Sequence, residues 1–246
     1  MKILILLAYY NRPLLVQNAL QSILDADEYY QNWHLAFGDD GSLYEGKPVV
    51  VSMLSDYLGQ VSFYRSNLTF EEKMIQGTGV ADMANSAMIH SDADIGVILC
   101  DDDKLRPTYL RDLADFYQRQ TDVSYAYSYV TPYDPFTQEE LDPSLVYKIN
   151  RWHKPISPAR KVDSSQVSWR IGPCIDQDAW FENVPGFRDV DRAFFDKLYS
   201  VFGDCQPTGL YGQWKGVHQY QLDQKRSEED WWEYNQMTRE LGRVEF

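Results

Sequence analysis

The chain has few cysteines and lacks the features of disulfide-rich, zinc-binding and membrane-spanning proteins. Cys100, Cys174 and Cys205 are its 3 cysteines in 246 residues, and no two of them form a Cys-x-x-Cys pair. This spacing excludes a disulfide framework and a cysteine-based zinc site, and it fits reduced thiols inside a cell. No apolar run approaches the roughly 20 residues of a membrane span. The apolar opening, Ile3–Ala8, is too short for a secretory signal, so we expect a soluble cytoplasmic protein.

A basic surface is also missing. The sequence has 37 Asp and Glu residues against 23 Lys and Arg residues, which gives a formal net charge of −14 at pH 7. This balance argues against a nucleic-acid partner and against electrostatic docking on anionic lipid. Glycine-rich phosphate loops are absent too, because neither G-x-G-x-x-G nor a Walker sequence follows the first apolar run. A bound phosphate is therefore expected to be held through a metal ion rather than through loop amides.

Short apolar runs alternate with amphipathic segments over the first half of the chain. Buried strands are predicted at Ile3–Ala8, Trp33–Phe37, Val61–Tyr64 and Ile95–Cys100. The spacing of apolar residues predicts helices over residues 13–23, Val49–Leu58, Gly77–Met88 and Pro107–Gln120. This alternation favours the α/β class, with a mixed, mainly parallel sheet and helices on both faces.

The character of the sequence changes after residue 120. The second half is expected to hold a strand over Ser124–Tyr133, a long polar loop over Pro135–Pro158, a strand over Ser165–Ile171, and helices over Asp191–Phe202 and Glu228–Leu241. No linker, repeat or low-complexity tract separates the halves. One domain is predicted, with one lobe over about 1–120, a second lobe over about 121–220 and a C-terminal helix over about 221–246.

Three consecutive carboxylates, Asp101, Asp102 and Asp103, directly follow the fourth predicted strand. Open α/β sheets bind ligands at the carboxyl ends of their strands, where these residues are expected to lie. Like charges this close repel each other, so a cation is expected among them, and a divalent metal that prefers oxygen ligands is the natural candidate. A simpler interpretation is an acidic turn that caps the helix beginning near Pro107.

Two further polar segments are predicted at the same edge of the sheet. Residues 8–12 leave the first strand and residues 39–42 leave the second. A ring that stacks on a base, a carboxylate that accepts from a base N–H, and a metal that bridges carboxylates to a diphosphate would together form a nucleotide site. Taken singly, the segments have ordinary explanations, with Tyr10 a core residue at a strand end and residues 39–42 a tight turn.

Five short segments carry a resemblance to a known family. In chain order they are Ala8-Tyr9-Tyr10-Asn11-Arg12-Pro13, Asp39-Asp40-Gly41-Ser42, Ala84-Asn85-Ser86-Ala87, Asp101-Asp102-Asp103 and Arg188-Asp189-Val190-Asp191-Arg192-Ala193-Phe194-Phe195. With these segments the chain resembles an inverting family 2 glycosyltransferase with the GT-A fold. The resemblance is specific over about residues 1–110 and looser to about residue 220.

The resemblance implies roles in binding a nucleotide-sugar donor. The residues concerned would face the base, the ribose or the phosphates, or would line the helix beside the donor: Ala8, Tyr10, Arg12, Asp39, Asp40, Asn85 and Asp101. Asp40 would accept a hydrogen bond from a uracil-like N3–H. The chain departs from many relatives at Gly77-Thr78-Gly79, where they carry Arg or Lys, so phosphate neutralisation would depend more on the metal, with Arg65 or Lys73 assisting.

The resemblance also implies a metal site and a catalytic base. Asp102 and Asp103, with His218, would bind Mn²⁺ or Mg²⁺, while Lys215 near His218 would either clamp the diphosphate or remain solvated. Asp191 would remove the proton of the acceptor hydroxyl. The simpler interpretation of Asp191 is a cap for the helix that runs through Phe195, and His218 has an equally simple interpretation as a surface residue.

The predicted activity is metal-dependent transfer of a sugar, with inversion, from a nucleotide sugar to a hydroxyl group of a glycan or other glycoconjugate. A UDP-linked donor is favoured because a carboxylate is expected opposite the base. Two alternatives remain at this point. A nucleotidyltransferase would share the sheet and the metal but usually shows a glycine-rich first turn. A carbohydrate-binding protein without catalysis would explain the 15% aromatic content without any metal.

Overall fold

Eight strands form one sheet in the part of the chain that the structure describes. The computed structural model describes residues 1–142, 153–158, 162–185 and 190–217. The strands are β1 (Ile3–Tyr9), β2 (Trp33–Asp39), β3 (Val61–Arg65), β4 (Ile95–Cys100), β5 (Lys104–Leu105), β6 (Tyr125–Tyr133), β7 (Val167–Arg170) and β8 (Gln206–Gly216). Their order across the sheet is β3-β2-β1-β4-β7-β6-β8-β5.

The sheet is mixed and mainly parallel, as the sequence predicted. β3, β2, β1 and β4 run parallel to one another, and β6 runs parallel to β8. β7 is antiparallel to both β4 and β6, and β5 is antiparallel to β8. The direction therefore changes at β7, after the four strands whose carboxyl ends share one edge.

Helices cover both faces of this sheet. They are α1 (Pro13–Asp27), α2 (Lys47–Met53), α3 (Phe70–Gln76), α4 (Val80–His90), α5 (Tyr109–Arg119), α6 (Ile171–Asp176) and α7 (Val190–Phe202). The buried faces of α1 and α5 pack on one side of the sheet, and those of α4 and α7 pack on the other. None of the helices in the described ranges is both long and apolar enough to cross a lipid bilayer.

The continuous apolar run of β1 results from this two-sided cover. Ile3, Ile5 and Leu7 belong to the core cluster on the α1 side, and Leu4 and Leu6 belong to the cluster on the α4 side. Alternate side chains of a strand point to opposite faces, so a strand buried on both faces has no polar positions. The same argument holds for β4, and the predicted strands in the first half are confirmed.

Several predicted boundaries are corrected. The helix predicted over Val49–Leu58 ends at Met53, and a 3-10 helix over Ser55–Gln60 follows, because Leu54 leaves the helical conformation after a run of three valines. The strand predicted over Ser165–Ile171 covers only Val167–Arg170, since Asp163 caps a 3-10 turn before it and α6 begins at Ile171.

The helix predicted from Gly77 begins at Val80 instead. Gly77 has a φ of +90°, outside the helical range, and it ends the preceding α3. The helix predicted over Asp191–Phe202 is confirmed as α7, and that predicted over Pro107–Gln120 is confirmed as the slightly shorter α5. The elements that the sequence did not predict are α3, α6, β5 and β8. The predicted helix Glu228–Leu241 and much of the predicted loop Pro135–Pro158 lie outside the described residues.

Candidate active site

Three polar segments meet at the carboxyl edge of the parallel strands, as predicted. β1 pairs with β2 on one side and with β4 on the other, and the registers align Ala8 with both Gly38 and Cys100. Residues after these three positions therefore leave the sheet side by side. The Tyr10 backbone N–H donates to Asp101 Oδ2 over 3.1 Å, and the Asp40 N–H donates to the Tyr9 carbonyl over 3.0 Å. Half-buried Ala8 and Tyr10 thus lie between the two acidic segments.

Arg12 neutralises the first two carboxylates of the acidic triplet. Its Nη1 lies 2.8 Å from Asp101 Oδ1 and 2.9 Å from Asp102 Oδ2. Arg12, Asp101 and Asp102 are each only 5% exposed. A buried carboxylate is stable only when it is paired and hydrogen-bonded, so Arg12 replaces much of the lost solvation.

Asp103, the third carboxylate of the triplet, is held by residues of β8. Its Oδ1 accepts from the Gly216 backbone N–H over 2.8 Å, and Lys215 Nζ lies 3.2 Å from its Oδ2. The same Nζ lies 3.2 Å from Asp163 Oδ1. Because Asp103 is fully buried, β8 and the segment before β7 are tied to the acidic triplet by these contacts.

Among the described residues, the carboxylates of this cluster outnumber its cations. Four carboxylates, those of Asp101, Asp102, Asp103 and Asp163, face the two cations Arg12 and Lys215, so the net charge is −2 when all are ionised. Burial raises the pKa of Asp101 to about 6 and the pKa of Asp103 to about 7, with the neighbouring carboxylate Asp102 adding to both shifts. Carboxylates that outnumber the cations described around them favour a divalent cation with oxygen preference.

Ligand atoms of Cys100, Asp102 and Asp103 lie within 4.8 Å of one another. Burial raises the pKa of the Cys100 thiol, which keeps it protonated, and its Sγ contacts Ser164 Oγ at 3.8 Å. A protonated thiol is a poor ligand for Mg²⁺ or Mn²⁺, which prefer oxygen. The residues in this cluster that could hold such an ion are therefore Asp102 and Asp103.

Asp40 lies at the centre of a second cluster. Its Oδ1 accepts from the Gly79 backbone N–H over 3.1 Å, and its Oδ2 lies 3.0 Å from Lys73 Nζ, which also donates to the Asp40 carbonyl. Lys73 Nζ lies 4.8 Å from the centre of the Tyr10 ring and is 3% exposed. Burial raises the pKa of Asp40, and Lys73 opposes this shift. An acceptor, a cationic donor and an aromatic face are thus placed together.

The position of Gly79 requires glycine, in a segment where many members of the family carry Arg or Lys. A Cβ atom at this position would lie 2.5 Å from Ser66 Cβ, so only glycine brings this backbone close to the end of β3. The close approach lets the Gly79 amide reach Asp40. In this chain the basic group in the region is Lys73, one helix earlier, and it is already paired with Asp40.

Asp39 organises the turn after β2. Its Oδ1 accepts from the Ser42 N–H over 2.7 Å, and its Oδ2 accepts from the Gly46 N–H over 3.1 Å. Arg65 Nη1 lies 3.2 Å from Asp39 Oδ2 and also 3.2 Å from Glu45 Oε1. The turn that sequence analysis named as the simpler interpretation is therefore present, and the nucleotide role of Asp39 stays a prediction.

A cleft of about 610 Å³ opens beside Asp40. Among its lining residues are Asp40, Tyr64, Ser66, Met83 and Asn183, from β2, β3, α4 and the segment after α6. Pockets of roughly 300–1,000 Å³ accommodate small organic ligands, so the cleft has the volume for a nucleoside. Its mixture of polar and apolar walls suits a base that is held on its face and along its edge.

Three predicted site residues lie apart from these clusters or outside the described chain. Asn85 on α4 donates its Nδ2 to the Phe181 carbonyl over 2.8 Å and accepts from the Phe181 N–H over 2.9 Å, so it fixes the segment after α6. Asp191 is half-buried in the first turn of α7, where the Arg192 N–H donates to its Oδ1 over 2.8 Å. His218 lies outside the described residues.

Sequence analysis missed Asp163 and the Gly79 amide. Asp163 follows no motif, and it is joined to the triplet through Lys215 on β8. The Gly79 amide contributes a backbone group, which no side-chain pattern reveals. Lys215 was singled out in the sequence as a diphosphate clamp or a solvated residue, whereas the structure pairs it with Asp103 and Asp163.

This sheet and its carboxyl edge define a GT-A glycosyltransferase fold. The chain belongs to Glycosyl transferase family 2, whose family model matches residues 4–175. No curated protein sequence matches the chain at a significant level. Family membership rests on the matched segment, which includes the acidic triplet and the carboxyl ends of β1 and β2.

Solved structures with the same fold bind nucleotide sugars. S. aureus TarS superposes with a TM-score of 0.66 at 14% identity, covering 97% of this chain and 39% of that one. TarS 1–349 in complex with UDP-GlcNAc gives 0.63 at 14% identity, covering 97% and 65%. The mannosyltransferase PcManGT from Pyrobaculum calidifontis, in complex with GDP-Man and Mn²⁺, gives 0.60 at 14% identity, covering 89% and 57%. The chain thus spans less than two thirds of the length of each, and identity this low shows the fold alone.

Proposed function

We propose that the protein transfers a sugar, with inversion, from a UDP-linked donor to a hydroxyl group of a glycan or other glycoconjugate, with the help of Mn²⁺ or Mg²⁺. The observation that carries the proposal is that Asp40 and the acidic triplet follow β2 and β4, the two strands that flank β1, with a nucleoside-sized cleft beside Asp40. The family, and the nucleotide sugars bound in two of the solved neighbours, support the same reaction class.

The Asp40 cluster is suited to reading a base. The carboxylate of Asp40 would accept a hydrogen bond from a base N–H, and the Lys73 ammonium, which lies 3.0 Å from that carboxylate, would donate to an adjacent base carbonyl. Uracil presents an N–H flanked by carbonyl groups, so the pair matches its edge. The Tyr10 ring, which has Lys73 near its face, would contact the base from the side of β1.

The acidic triplet is suited to a divalent cation. Asp102 and Asp103 would hold it, since their oxygens lie close together in a cluster of net charge −2. When bound, such an ion neutralises the diphosphate and stabilises the negative charge that develops on the leaving group. Asp101, which accepts from the Tyr10 amide and pairs with Arg12, would contact the ribose or sugar.

Asp191 is the proposed general base. It would take the proton of the acceptor hydroxyl as that oxygen attacks the anomeric carbon on the face opposite the leaving diphosphate. A single in-line displacement inverts the configuration at that carbon. The rigid α7, whose Phe194 and Leu198 are fully buried, would fix the position of this carboxylate.

Calorimetry of nucleotide binding tests the donor half of the proposal. UDP should bind more tightly in Mn²⁺ than in EDTA, and more tightly than GDP in the same buffer. Asp40→Asn should weaken UDP binding by about tenfold or more, because a hydrogen bond to a charged group contributes roughly 1.5–3 kcal/mol. Asp56→Asn, an exposed carboxylate on the 3-10 helix before β3, is the matched control and should bind UDP like the wild type.

Two results would contradict the donor assignment. Equal UDP affinity in EDTA and in Mn²⁺ would remove the metal bridge from the proposal. Unchanged UDP affinity in Asp40→Asn, with the control also unchanged, would remove the base-reading role of Asp40.

A further inference from the structure

Arg12 already contacts an oxygen of Asp102, one of the two proposed metal ligands. Its guanidinium is buried between Asp101 Oδ1 and Asp102 Oδ2, at 2.8 and 2.9 Å. Nearly all of its surface is removed from solvent, so this is not a loose surface pair. An oxygen that accepts a charge-assisted hydrogen bond from arginine is already bound to a cation.

The two cations of the cluster divide the carboxylates between them. Lys215 and the Gly216 amide take both oxygens of Asp103, and Arg12 takes one oxygen each of Asp101 and Asp102. Lys215 is further fixed by Asp163. Asp102 Oδ2 is therefore the proposed metal-ligand oxygen in direct contact with Arg12, while Asp103 belongs to the Lys215 group.

A divalent ion and the Arg12 guanidinium cannot share Asp102 at low cost. An ion bound to Asp102 would place two further positive charges a few ångströms from the guanidinium, in a region with little water to screen the repulsion. The two cations therefore oppose each other at this carboxylate, although each alone relieves the repulsion among Asp101, Asp102 and Asp103.

We propose that Arg12 is a built-in counter-ion of the acidic triplet and that a divalent cation displaces it from Asp102. This inference rests on the proposed metal site at Asp102 and Asp103. In the metal-free protein Arg12 keeps two buried carboxylates in place. On displacement its guanidinium is released at the strand edge, where it is available to the phosphates of the donor. Metal and diphosphate then bind cooperatively, because each favours the same rearranged Arg12.

Binding of Mn²⁺ alone, without nucleotide, tests the displacement. Wild type, Arg12→Met, Arg12→Lys and Arg111→Met are titrated at pH 8 by calorimetry and by the loss of the free Mn²⁺ electron paramagnetic resonance signal. Arg12→Met should bind Mn²⁺ about tenfold more tightly than wild type, because the competing cation is gone. Arg12→Lys, which keeps the charge, should stay close to wild type.

Arg111→Met is the matched control for loss of one positive charge. Arg111 pairs with Asp112 on α5 and is exposed, so its removal should leave Mn²⁺ affinity unchanged. If Arg12→Met binds Mn²⁺ as weakly as wild type or more weakly, Arg12 only positions the carboxylates and the displacement is wrong, while the metal site stands. If neither the wild type nor Arg12→Met binds Mn²⁺, the metal site and the displacement are both wrong.

A second measurement on the wild type covers the case in which Arg12→Met does not fold. The side-chain ¹⁵Nε–H resonance of Arg12, assigned by its absence in Arg12→Lys, is followed during titration with diamagnetic Mg²⁺. A saturating shift of this resonance is expected as the ion pair breaks. A resonance that keeps its position at saturating Mg²⁺ would overturn the displacement.

Discussion

At the scale of the residue, the proposed catalytic role of Asp191 has to be distinguished from its contribution to the start of α7. The side chain stands in the first turn of α7 and accepts from the Arg192 N–H, so a capping contribution is present whatever its chemistry. We expect Asp191→Asn to keep donor affinity and lose transfer by about 10²–10⁴-fold, because asparagine retains the helix contact but takes up no proton. Product formation beside a UDP titration measures both quantities.

The control for this prediction lies one turn further along α7. Asp196 is exposed and pairs with Arg192 at 3.7 Å. Asp196→Asn should transfer sugar at the wild-type rate. If Asp191→Asn also transfers at that rate, Asp191 serves the helix only, and Asp189 becomes the next carboxylate to examine.

Residue identity and strand ends together predicted where the three polar segments meet. The apolar runs before Tyr10, Asp39 and Asp101 revealed where three strands end, and parallel neighbours must end at one edge. The partners of those residues could not be predicted. Arg12 is paired with two of the acidic residues instead of standing free for phosphate, and Lys73 reaches Asp40 from a helix with no recognised motif. Such pairings depend on side-chain packing across 30 to 90 residues of sequence.

At the scale of the element, the junction between α3 and α4 controls the approach of Gly79 to Asp40. Gly77 has a φ of +90°, and a Cβ atom there would lie 2.6 Å from the Val184 carbonyl oxygen. We expect Gly77→Ala to destabilise the protein by about 1–3 kcal/mol through backbone strain and this clash. UDP affinity should fall as well, because Gly79, two residues after Gly77, supplies the amide that binds Asp40.

Chemical denaturation and calorimetry measure the two effects. Gly59→Ala is the matched control, since a Cβ atom at Gly59 meets no atom within 4 Å, and its stability should stay within about 0.5 kcal/mol of wild type. A Gly77→Ala protein as stable as Gly59→Ala would show that the junction tolerates a side chain and that the position does not depend on glycine.

Elements with long apolar runs were predicted well, and elements fixed by distant partners were not. β1 and β4 are covered on both faces, so their residues are almost all apolar, and such a short apolar run is readily recognised as a strand. β5 has only two residues, and it is a strand because Lys104 and Leu105 pair with Trp214 and Gln213. No local pattern encodes such a pairing.

At the scale of the whole molecule, burial of the acidic triplet makes stability depend on pH. Asp103 has a pKa raised to about 7 and Asp101 a pKa raised to about 6, against about 3.9 for an unfolded aspartate. Between these values the folded protein holds more protons than the unfolded chain. The contribution of these groups to stability is therefore present at low pH and is lost as pH rises through the folded pKa values.

We expect the melting temperature of the metal-free wild type to fall between pH 5 and pH 8, by roughly 2–4 °C for each kcal/mol lost. Asp103→Asn should flatten this dependence, and comparing the two proteins separates Asp103 from other titrating groups such as His34. Asp112→Asn on the surface of α5 should keep the wild-type slope. Parallel melting curves for Asp103→Asn and wild type across this pH range would contradict the assignment.

The contacts between Asp103 and β8 constrain the order in which the protein folds. The Lys215 side chain and the Gly216 amide that hold this carboxylate lie 112 and 113 residues further along the chain. Closing a loop of that length must precede the contact, and contacts between distant residues form slowly. During synthesis the first four strands can pair while Asp103 still lacks both partners. The acidic triplet should therefore gain protection from hydrogen exchange late in refolding, after the strands that lead into it.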